Sequence, residues 1–521
     1  MKLPQPSARG KALARELAAL SIAASVEPAD LWAASRDSSP RAILWTKAGL
    51  APHPPDVVAW PASAAQVAAV VKLAAASEVA VVPSGAGGGV CGGAVPSQGG
   101  IALDLKRLAG PPRIDLPART VDVEAGVNGA RLAELLSAAG ATLGHAPAGM
   151  TSSTVGGWLA ARSAGDFSTR YGTIADQVLS LEAVDGTGAL LRTADGPSAG
   201  PDLAQLLVGS EGTLAVITAA RLRIWPRPGP GWARCLRFPS TGHGLRALRS
   251  ILRGGLRPSL ARLCDPIDSQ RATRGTLRES VPAPLRFLFD AGQREAWRTA
   301  LKAPFLLNRL ADALPKSCLL FLAFEGGEGD RDGDEGGRAA LGLCRGAGGE
   351  DLGAPPAERF LANRHRDSFA AARLFAAGAF VQTLDLATTW DRALPLVAQV
   401  RRAVESRALV SVHFPQAYLE GCALEFTFVG LAGMSAAEAA QASPDDNEAD
   451  LEQAQARADA CWNAALNAAA GEGATLGHHL GAGAEKNGYL QREHGEGVRQ
   501  LRALKAAFDP HGILNPGKLA P

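Results

Sequence analysis

The chain has no paired cysteines, no long apolar run and no excess of one charge among its 521 residues. The seven cysteines are dispersed and none lies in a Cys-x-x-Cys pair, so the sequence predicts neither a zinc knuckle nor an iron–sulfur centre, and no metal site. Dispersed thiols are typical of a reducing compartment, where they act as small core residues. The cysteines are Cys91, Cys235, Cys264, Cys318, Cys344, Cys422 and Cys461.

Long hydrophobic segments are missing as well. A membrane-spanning helix needs about 18 or more consecutive apolar residues, and no run of that length occurs. The N-terminal stretch MKLPQPSARGKALARELAAL is basic but lacks the continuous apolar region of a signal peptide. We therefore expect a cytoplasmic protein without a membrane span.

Basic and acidic residues nearly balance, with 53 Lys and Arg against 51 Asp and Glu and a formal net charge of +2. The two signs are mixed along the chain, so no nucleic-acid-binding surface is predicted. An apolar share of 47% with 20% charged residues describes a soluble globular protein. The length exceeds that of one ordinary core, which favours two or three domains.

Hydrophobic periodicity divides the chain into four parts. Residues 1–50 form an N-terminal helical segment, because KALARELAALSIAASV carries apolar residues at helical spacing. Residues 51–228 alternate short apolar strands with helices, one of which begins after Ser63 as a predicted N-cap. Residues 229–500 hold strand-like runs such as SCLLFLAFEG, and residues 501–521 form a terminal segment rich in Pro and Gly.

Two charged stretches interrupt the third part. EGGEGDRDGDEGG, at residues 325–337, has too few apolar residues to pack and is predicted to be a solvated, mobile loop. SPDDNEADLEQ, at residues 443–453, is a second charged insertion.

The most unusual stretch is a run of glycines between two apolar strands, VVPSGAGGGVCGGAVPSQGGIALDLKRL at residues 81–108. Glycine lets consecutive backbone N–H groups converge on an anion, so a Gly-rich turn after a strand is a candidate phosphate cradle. The spacing fits neither the Rossmann nor the P-loop pattern, and the chain re-enters a strand rather than a helix. Taken alone, the stretch could equally be a flexible loop.

Three ordered segments resemble the vanillyl-alcohol oxidase, or PCMH-type, FAD-binding family. They are PSGAGGG from Pro83, GHAPAGMTSSTVGGWLAARSAG from Gly144, and GSEGTLAVIT from Gly209. The resemblance implies an α+β protein, with a PCMH-type FAD-binding domain of two α/β subdomains at residues 51–228 and an α+β cap, or substrate, domain with an antiparallel sheet at residues 229–500. It also implies that the C-terminal segment, residues 501–521, returns to the FAD domain. It implies that FAD is bound by Pro83, Ser84, Gly85, Ala86, Gly87, Gly88, Gly89, Pro147, Ala148, Gly149, Met150, Thr151, Ser152, Ser153, Ala160, Ala161, Arg162, Ser163, Glu211, Gly212, Thr213, Leu214, Ala215, Val216 and Ile217.

Further segments resemble the alkyldihydroxyacetonephosphate synthase subgroup of that family. They are SSTVGGWLAARSAGDFSTRYGTIADQV, LARLCDP, AYLEGCALEFTFVG, GATLGHHLGAGAEKNGYL and FDPHGILNPGKL. The chain departs from the subgroup at two places. Leu480 replaces a third histidine, and the segment SFAAARLFAAG has its arginine, Arg373, displaced from the usual position. The resemblance implies catalytic roles for Tyr418, His479, His478, Arg262 and Arg373.

The implied activity is the exchange of an acyl group for a fatty alcohol on acyl-dihydroxyacetone phosphate, through an adduct at flavin N5. Because the first loop carries no histidine, noncovalent FAD is expected. This activity implies a small-molecule or lipid substrate. Peripheral contact with a membrane and a homodimer are both compatible with such an activity. Two alternatives stay open: an FAD-linked D-2-hydroxyacid dehydrogenase acting on D-lactate or glycolate, and a flavin-binding scaffold without chemistry.

Overall fold

The computed structural model of the protein describes residues 2–196, 199–272, 294–313, 317–326, 332–365 and 371–519. This part of the chain divides into two compact units. The first unit comprises Met1–Ala164, Gly172–Arg227 and His479–Pro521, and the second comprises Gly165–Tyr171 and Pro228–His478. The domain boundaries drawn from the sequence, after residues 50, 228 and 500, stay predictions.

The first unit is built on two sheets. A four-stranded sheet has the order Ala23–Ser25, Val57–Trp60, Ile101–Asp104, Val81–Ser84, and its last three strands are parallel. An antiparallel five-stranded sheet has the order Arg113–Asp115, Thr120–Glu124, Ala215–Arg223, Val178–Asp185, Leu190–Arg192. Trp225–Pro226 pairs separately with Ala141–Thr142.

Each sheet has its own hydrophobic core. Helix Ala64–Ala76 covers the four-stranded sheet because Val67, Val70, Val71 and Ala74 recur on one helical face and are fully buried. The predicted cap of this helix is confirmed, since the Ser63 hydroxyl accepts a hydrogen bond from the Gln66 N–H at 3.2 Å. The longer helices of this unit are Ala8–Ala19, Pro40–Ala48, Ala64–Ala76, Gly129–Ala138 and Gly497–Phe508. The shorter ones are Pro28–Ala33, Val155–Ala160, Ile174–Gln177, Leu203–Leu207 and Leu490–His494.

The C-terminal segment completes the four-stranded sheet. The Val81 N–H donates to the Ile513 carbonyl at 2.8 Å, and the Asn515 N–H donates to the Val81 carbonyl at 2.8 Å. The last residues of the chain therefore lie alongside the strand that enters the glycine-rich loop.

The second unit is built on one antiparallel sheet of seven strands. Their order is Glu350–Asp351, Gly229–Phe238, Cys318–Gly326, Leu260–Cys264, Leu409–Phe414, Gly421–Leu431, Ala379–Thr389. Its helices are Ser168–Tyr171, Thr241–Arg253, Pro266–Ala272, Arg294–Ala300, Pro304–Ala313, Asp332–Gly346, Pro355–Asn363, Ala372–Ala376, Ala393–Val404, Ala436–Gln441 and Pro444–Gly471. This mixture of helices and antiparallel strands confirms the α+β class.

Two local expectations were wrong. The N-terminal helix ends at Ala19, and Ala23–Ser25 forms a strand, because Ser21 adopts a left-handed φ of 57° that breaks the helical spacing. Residues 327–331 lie outside the described residues, but Glu325 and Gly326 end the strand Cys318–Gly326, and residues 332–337 begin helix Asp332–Gly346. The second charged insertion starts helix Pro444–Gly471, where the Ser443 hydroxyl caps the first turn.

All seven cysteines are buried, as expected for core thiols. Burial raises the pKa of the Cys235, Cys344 and Cys422 thiols to about 12. Among the helices that the structure describes, none has the length and apolar character to cross a bilayer.

Candidate active site

The glycine-rich loop presents a row of unpaired donors. Within the described part of the chain, the backbone N–H groups of Ala86, Gly87, Gly88 and Gly89 donate to no protein acceptor. Gly87 has a left-handed φ of 68°, which favours glycine. At Gly85 a Cβ atom would lie 2.2 Å from the Thr154 hydroxyl, so this position is closed to any other residue. The loop thus has the free N–H groups that an anion requires.

The second predicted segment packs against this loop and is held by its own network. Asn128 Nδ2 donates to the Thr151 carbonyl at 3.0 Å, and Ser153 Oγ donates to the Gly149 carbonyl at 2.7 Å. The indole N–H of Trp158 in turn donates to Ser153 Oγ at 2.8 Å. Pro147–Ser153 is therefore a rigid turn in front of helix Val155–Ala160.

The end of that helix joins the third segment. The Arg162 side chain donates to the Gln205 carbonyl at 3.1 Å and to the Val208 carbonyl at 2.8 Å, which holds Ala160–Ser163 against the chain before Glu211. Thr213 Oγ1 donates to the Ser210 carbonyl at 2.7 Å. Ala215 and Val216 lie in the central strand of the five-stranded sheet, where both are 1% exposed.

Glu211 connects four segments of the first unit. Its carboxylate accepts hydrogen bonds from the Ala482 N–H at 2.7 Å and from the Gly483 N–H at 2.9 Å. Its N–H donates to the Ala160 carbonyl at 3.0 Å, and its carbonyl accepts from Asn515 Nδ2 at 2.7 Å. Burial raises the pKa of Glu211, and the two N–H donors oppose that shift.

Gly483 shows how closely these segments approach. A Cβ atom there would lie 2.0 Å from the Cys91 carbonyl oxygen, and the residue has a left-handed φ of 52°. The turn after the two histidines is therefore fixed between the glycine-rich loop and Glu211.

Tyr418 and His478 form a direct pair in the second unit. The Tyr418 hydroxyl lies 3.1 Å from His478 Nε2, within hydrogen-bond distance, and both residues are partly exposed. The His478 backbone N–H donates to Asp385 Oδ2 at 2.7 Å, and Asp385 is fully buried. Asp385, which the sequence did not single out, thus holds the backbone at His478.

Arg262 lies in a cluster of charged side chains. Its guanidinium is 3.9 Å from Asp166 Oδ1 and 3.7 Å from Asp268 Oδ2. Burial alone would lower the pKa of Arg262, but Cys264 and the nearby carboxylates raise it overall, so the group stays charged. In the described part of the chain Arg262 Nε is buried without a hydrogen-bond partner, which leaves one donor free for a ligand.

The short segment Gly165–Tyr171 connects these two groups of residues. It carries Asp166, which faces Arg262, and its Thr169 hydroxyl accepts a hydrogen bond from the Ala417 N–H at 3.1 Å, next to Tyr418. The Gly165 carbonyl accepts from Gln416 Nε2 at 3.1 Å. Sequence reasoning missed this role because the segment belongs by sequence to the second FAD loop.

The other residues considered from the sequence are His479, Arg373 and His145. The boundary between the two units falls between His478 and His479, so His479 belongs to the first unit. Arg373 belongs to helix Ala372–Ala376, but its side chain lies outside the described residues. His145, which lies in the second FAD segment, is 3% exposed, and in the described part of the chain neither ring nitrogen has a hydrogen-bond partner.

Comparison with known proteins assigns the family. Residues 55–194 match the FAD binding domain family, and residues 234–519 match the family of FAD linked oxidases, C-terminal domain. The second match spans more than half of the chain. The chain therefore belongs to the FAD-linked oxidases, a family of FAD-binding enzymes.

Individual relatives differ in activity. Alkyldihydroxyacetonephosphate synthase of Trypanosoma brucei brucei is 29% identical over 497 residues, which cover 92% of this chain and 75% of the relative. The mitochondrial D-lactate dehydrogenase [cytochrome] of Arabidopsis thaliana is 23% identical over 471 residues, covering 90% of this chain and 74% of the relative.

Solved structures confirm the PCMH-type fold. An alkyldihydroxyacetonephosphate synthase superimposes with a TM-score of 0.74 at 21% identity, covering 99% of this chain and 86% of that one. Substrate-bound p-cresol methylhydroxylase superimposes with a TM-score of 0.71 at 16% identity, covering 99% and 98% of the two chains.

The residues present fit FAD. The free N–H groups of Ala86–Gly89 suit a pyrophosphate, since four consecutive donors face no protein acceptor in the described part of the chain. At Gly88 a Cβ atom would lie 3.0 Å from the Ser152 carbonyl oxygen, so the first and second segments face each other across a glycine.

Replacement of Gly85 by alanine is expected to destabilise the first unit by about 2 kcal/mol and to weaken FAD binding. The new methyl group would displace the Thr154 hydroxyl, which caps helix Val155–Ala160. Urea denaturation and flavin titration of the apoprotein measure the two effects. Gly497→Ala is the control, because its Cβ atom would meet nothing closer than 3.7 Å. Equal behaviour of the two variants would contradict the steric argument.

His145 is expected to make the first unit sensitive to acid. Burial, with a smaller contribution from His479, lowers the pKa of His145 to about 3, whereas an exposed histidine titrates near 6.5. Between these values the unfolded chain binds more protons, so stability is complete above about pH 6.5 and falls toward pH 3 by up to about 1.4 kcal/mol per pH unit.

The measurement is the free energy of unfolding of the wild type and His145→Phe from pH 4 to pH 7. Phenylalanine preserves the edge-to-face contact with Trp158, at a ring-centroid distance of 4.8 Å, and removes the titrating group. The variant is expected to show a shallower slope. His494→Phe removes an exposed histidine and should keep the wild-type slope. A His145→Phe slope equal to that of the wild type would show that His145 is not the group responsible.

Proposed function

We propose that this enzyme replaces the acyl group of acyl-dihydroxyacetone phosphate with a fatty alcohol, the reaction of an alkyldihydroxyacetonephosphate synthase. The bond between the substrate carbon and the acyl oxygen breaks, and a bond to the alcohol oxygen forms. The alcohol proton leaves with the fatty acid, so no net oxidation occurs. The observation that carries the proposal is the hydrogen-bonded pair of Tyr418 and His478, at 3.1 Å, on the two segments that resemble the synthase subgroup.

In this proposal Tyr418 and His478 move a proton at the reacting carbon. A phenol and an imidazole that share one hydrogen bond can pass a proton between them, so one group takes a proton while the other gives one up. The Asp385 carboxylate accepts a hydrogen bond from the backbone N–H of His478 and so holds the main chain that carries the imidazole. His479, which follows immediately in the chain, is proposed as a second acid–base group.

Arg262 is proposed to bind the substrate phosphate. Its guanidinium stays charged, its Nε has no hydrogen-bond partner within the described residues, and Asp166 and Asp268 hold it at 3.7–3.9 Å rather than in close ion pairs. A planar guanidinium provides the paired donors that phosphate oxygens accept.

FAD is proposed to bind without a covalent link and would supply the flavin ring that the exchange reaction requires. The first loop contains no histidine, and its only thiol, Cys91, is 2% exposed. Acid precipitation of the purified protein should therefore release all flavin into the supernatant. Flavin retained in the pellet would contradict the noncovalent link.

The test is anaerobic incubation of the FAD-loaded enzyme with palmitoyl-dihydroxyacetone phosphate and hexadecanol. We expect an ether product, one fatty acid per turnover, and a flavin absorbance band that recovers fully. D-Lactate and glycolate serve as the matched comparison under the same conditions. Lasting bleaching of the flavin by either hydroxyacid, without ether formation, would overturn the synthase proposal.

That outcome would favour the second candidate, an FAD-linked D-2-hydroxyacid dehydrogenase. The observation behind it is the similarity to the D-lactate dehydrogenase of Arabidopsis thaliana over 90% of this chain. Against it, the residue before His479 is His478, which pairs with Tyr418, and not the glutamate that we associate with such dehydrogenases.

A further inference from the structure

The N-terminal segment reaches the glycine-rich loop through Ser38. The Ser38 N–H donates to the Gly89 carbonyl at 2.9 Å, and its hydroxyl donates to the Gly87 carbonyl at 3.0 Å. Both residues belong to the first unit, and Ser38 precedes residue 55, where the FAD-binding family match begins. Ser38 therefore lies outside the part of the chain that identifies the family, although its partners Gly87 and Gly89 lie inside it.

These contacts set the direction of the loop amides. In a trans peptide the carbonyl and the following N–H point to opposite sides, and the described part of the chain contains no cis peptide. Since Ser38 binds the carbonyls of Gly87 and Gly89, the N–H groups of Gly88 and Val90 point away from Ser38. Neither of these two N–H groups has a protein acceptor in the described residues.

The neighbouring residues anchor the segment. The Ser39 N–H donates to Asp37 Oδ1 at 2.9 Å, and the Ser39 hydroxyl caps helix Pro40–Ala48. Asp37 and Ser39 are both buried, so the position of Ser38 is fixed on either side even though its own side chain is exposed. Ser38 is thus held rigidly behind the loop.

We infer that Ser38 is a positioning residue of the FAD site, which turns two loop N–H groups toward the pyrophosphate before the cofactor binds. Without the Ser38 hydroxyl, the Gly87–Gly88 peptide would be free to rotate, because glycine restricts neither φ nor ψ. FAD would then have to order this peptide on binding, at a cost in affinity.

The first test is the Kd of FAD for the apoprotein, measured by flavin fluorescence. We expect Ser38→Ala to raise the Kd about three- to tenfold, the effect of one lost hydrogen bond. Ser38→Thr keeps the hydroxyl and should bind like the wild type. Ser63→Ala is the matched control, because it removes a hydroxyl that caps a helix of the same unit away from the loop.

The second test is amide hydrogen exchange of the apoprotein without any flavin. The amide of residue 38 donates to the Gly89 carbonyl, and its exchange, corrected for the intrinsic rate of alanine, should be faster in Ser38→Ala than in the wild type because the loop has lost its second contact. It should be unchanged in Ser63→Ala. Equal Kd values for Ser38→Ala and the wild type, or an equal loss in Ser63→Ala, would overturn the inference. Neither measurement uses a substrate, so the result is independent of whether the enzyme is a synthase or a dehydrogenase.

Discussion

Tyr418→Phe is expected to lower kcat for ether formation by about 10²–10⁴-fold while leaving FAD content and affinity unchanged. The substitution removes only the hydroxyl that lies 3.1 Å from His478 Nε2, and phenylalanine fills the same space. KM should change little, since the loss affects proton movement rather than binding. Steady-state kinetics with palmitoyl-dihydroxyacetone phosphate and varied hexadecanol measures both constants.

Two controls make this result specific. Tyr489→Phe removes a hydroxyl from a partly exposed tyrosine of the first unit and should keep wild-type kcat. The double variant Tyr418→Phe with His478→Gln should be no slower than the slower single variant, because both changes break one shared pair. If the losses in kcat of the two single variants multiplied in the double variant, the two side chains would act independently and the proposed pair would be wrong. A Tyr418→Phe kcat within about threefold of the wild type would contradict the proposal in the same way.

Glu211→Ala is expected to destabilise the first unit by about 3 kcal/mol and to release the turn after His479. The substitution leaves the N–H groups of Ala482 and Gly483 without their acceptor. Chemical denaturation measures the loss of stability, and hydrogen exchange at these two amides measures the release of the turn. Glu211→Gln retains one acceptor oxygen and should fall between the alanine variant and the wild type.

Glu78→Ala is a matched control for this change. Glu78 has a left-handed φ of 52°, against 51° for Glu211, so both substitutions replace a glutamate in the same backbone conformation. Glu78 is exposed and makes no comparable contact, so its replacement should cost little. If Glu211→Ala changed neither the free energy of unfolding nor the amide exchange of Ala482 and Gly483, the hydrogen bonds of Glu211 to these two residues would not stabilise the first unit.

Local sequence patterns predicted much of the fold. Apolar runs identified strands such as Val81–Ser84, and Ser63 identified the start of a helix, because hydrophobic patterns and helix capping depend on residues close in sequence. The same reasoning failed at Asp332–Gly346, whose first residues were predicted to be a mobile loop. Charged helices of this kind are decided by packing of a few apolar side chains on distant strands, which composition does not reveal.

The candidate site was predicted in part. The motifs named Tyr418 and His478, but they are 60 residues apart in sequence, and only the folded second unit brings the hydroxyl and the imidazole within 3.1 Å. Asp385 and Asp166 escaped sequence reasoning because an isolated aspartate carries no local signal. Ser38 escaped it for the same reason, since its partners are carbonyl groups of the backbone, which are the same for every residue type.

Local motifs were enough to indicate the class of this protein, an FAD-linked enzyme whose glycine-rich loop, flavin segments and histidine pair stand in a recognisable order. Those features are local, because they depend on the missing side chain of each glycine. Gly85 leaves room where a Cβ atom would clash, and Gly87 adopts a left-handed φ. Which groups meet became visible only in the folded chain: Ser38 with the loop carbonyls, Glu211 with the turn after His479, and Tyr418 with His478. Such contacts depend on the packing of whole sheets and helices, because hydrogen bonds between distant segments form only where the hydrophobic cores hold both partners in place.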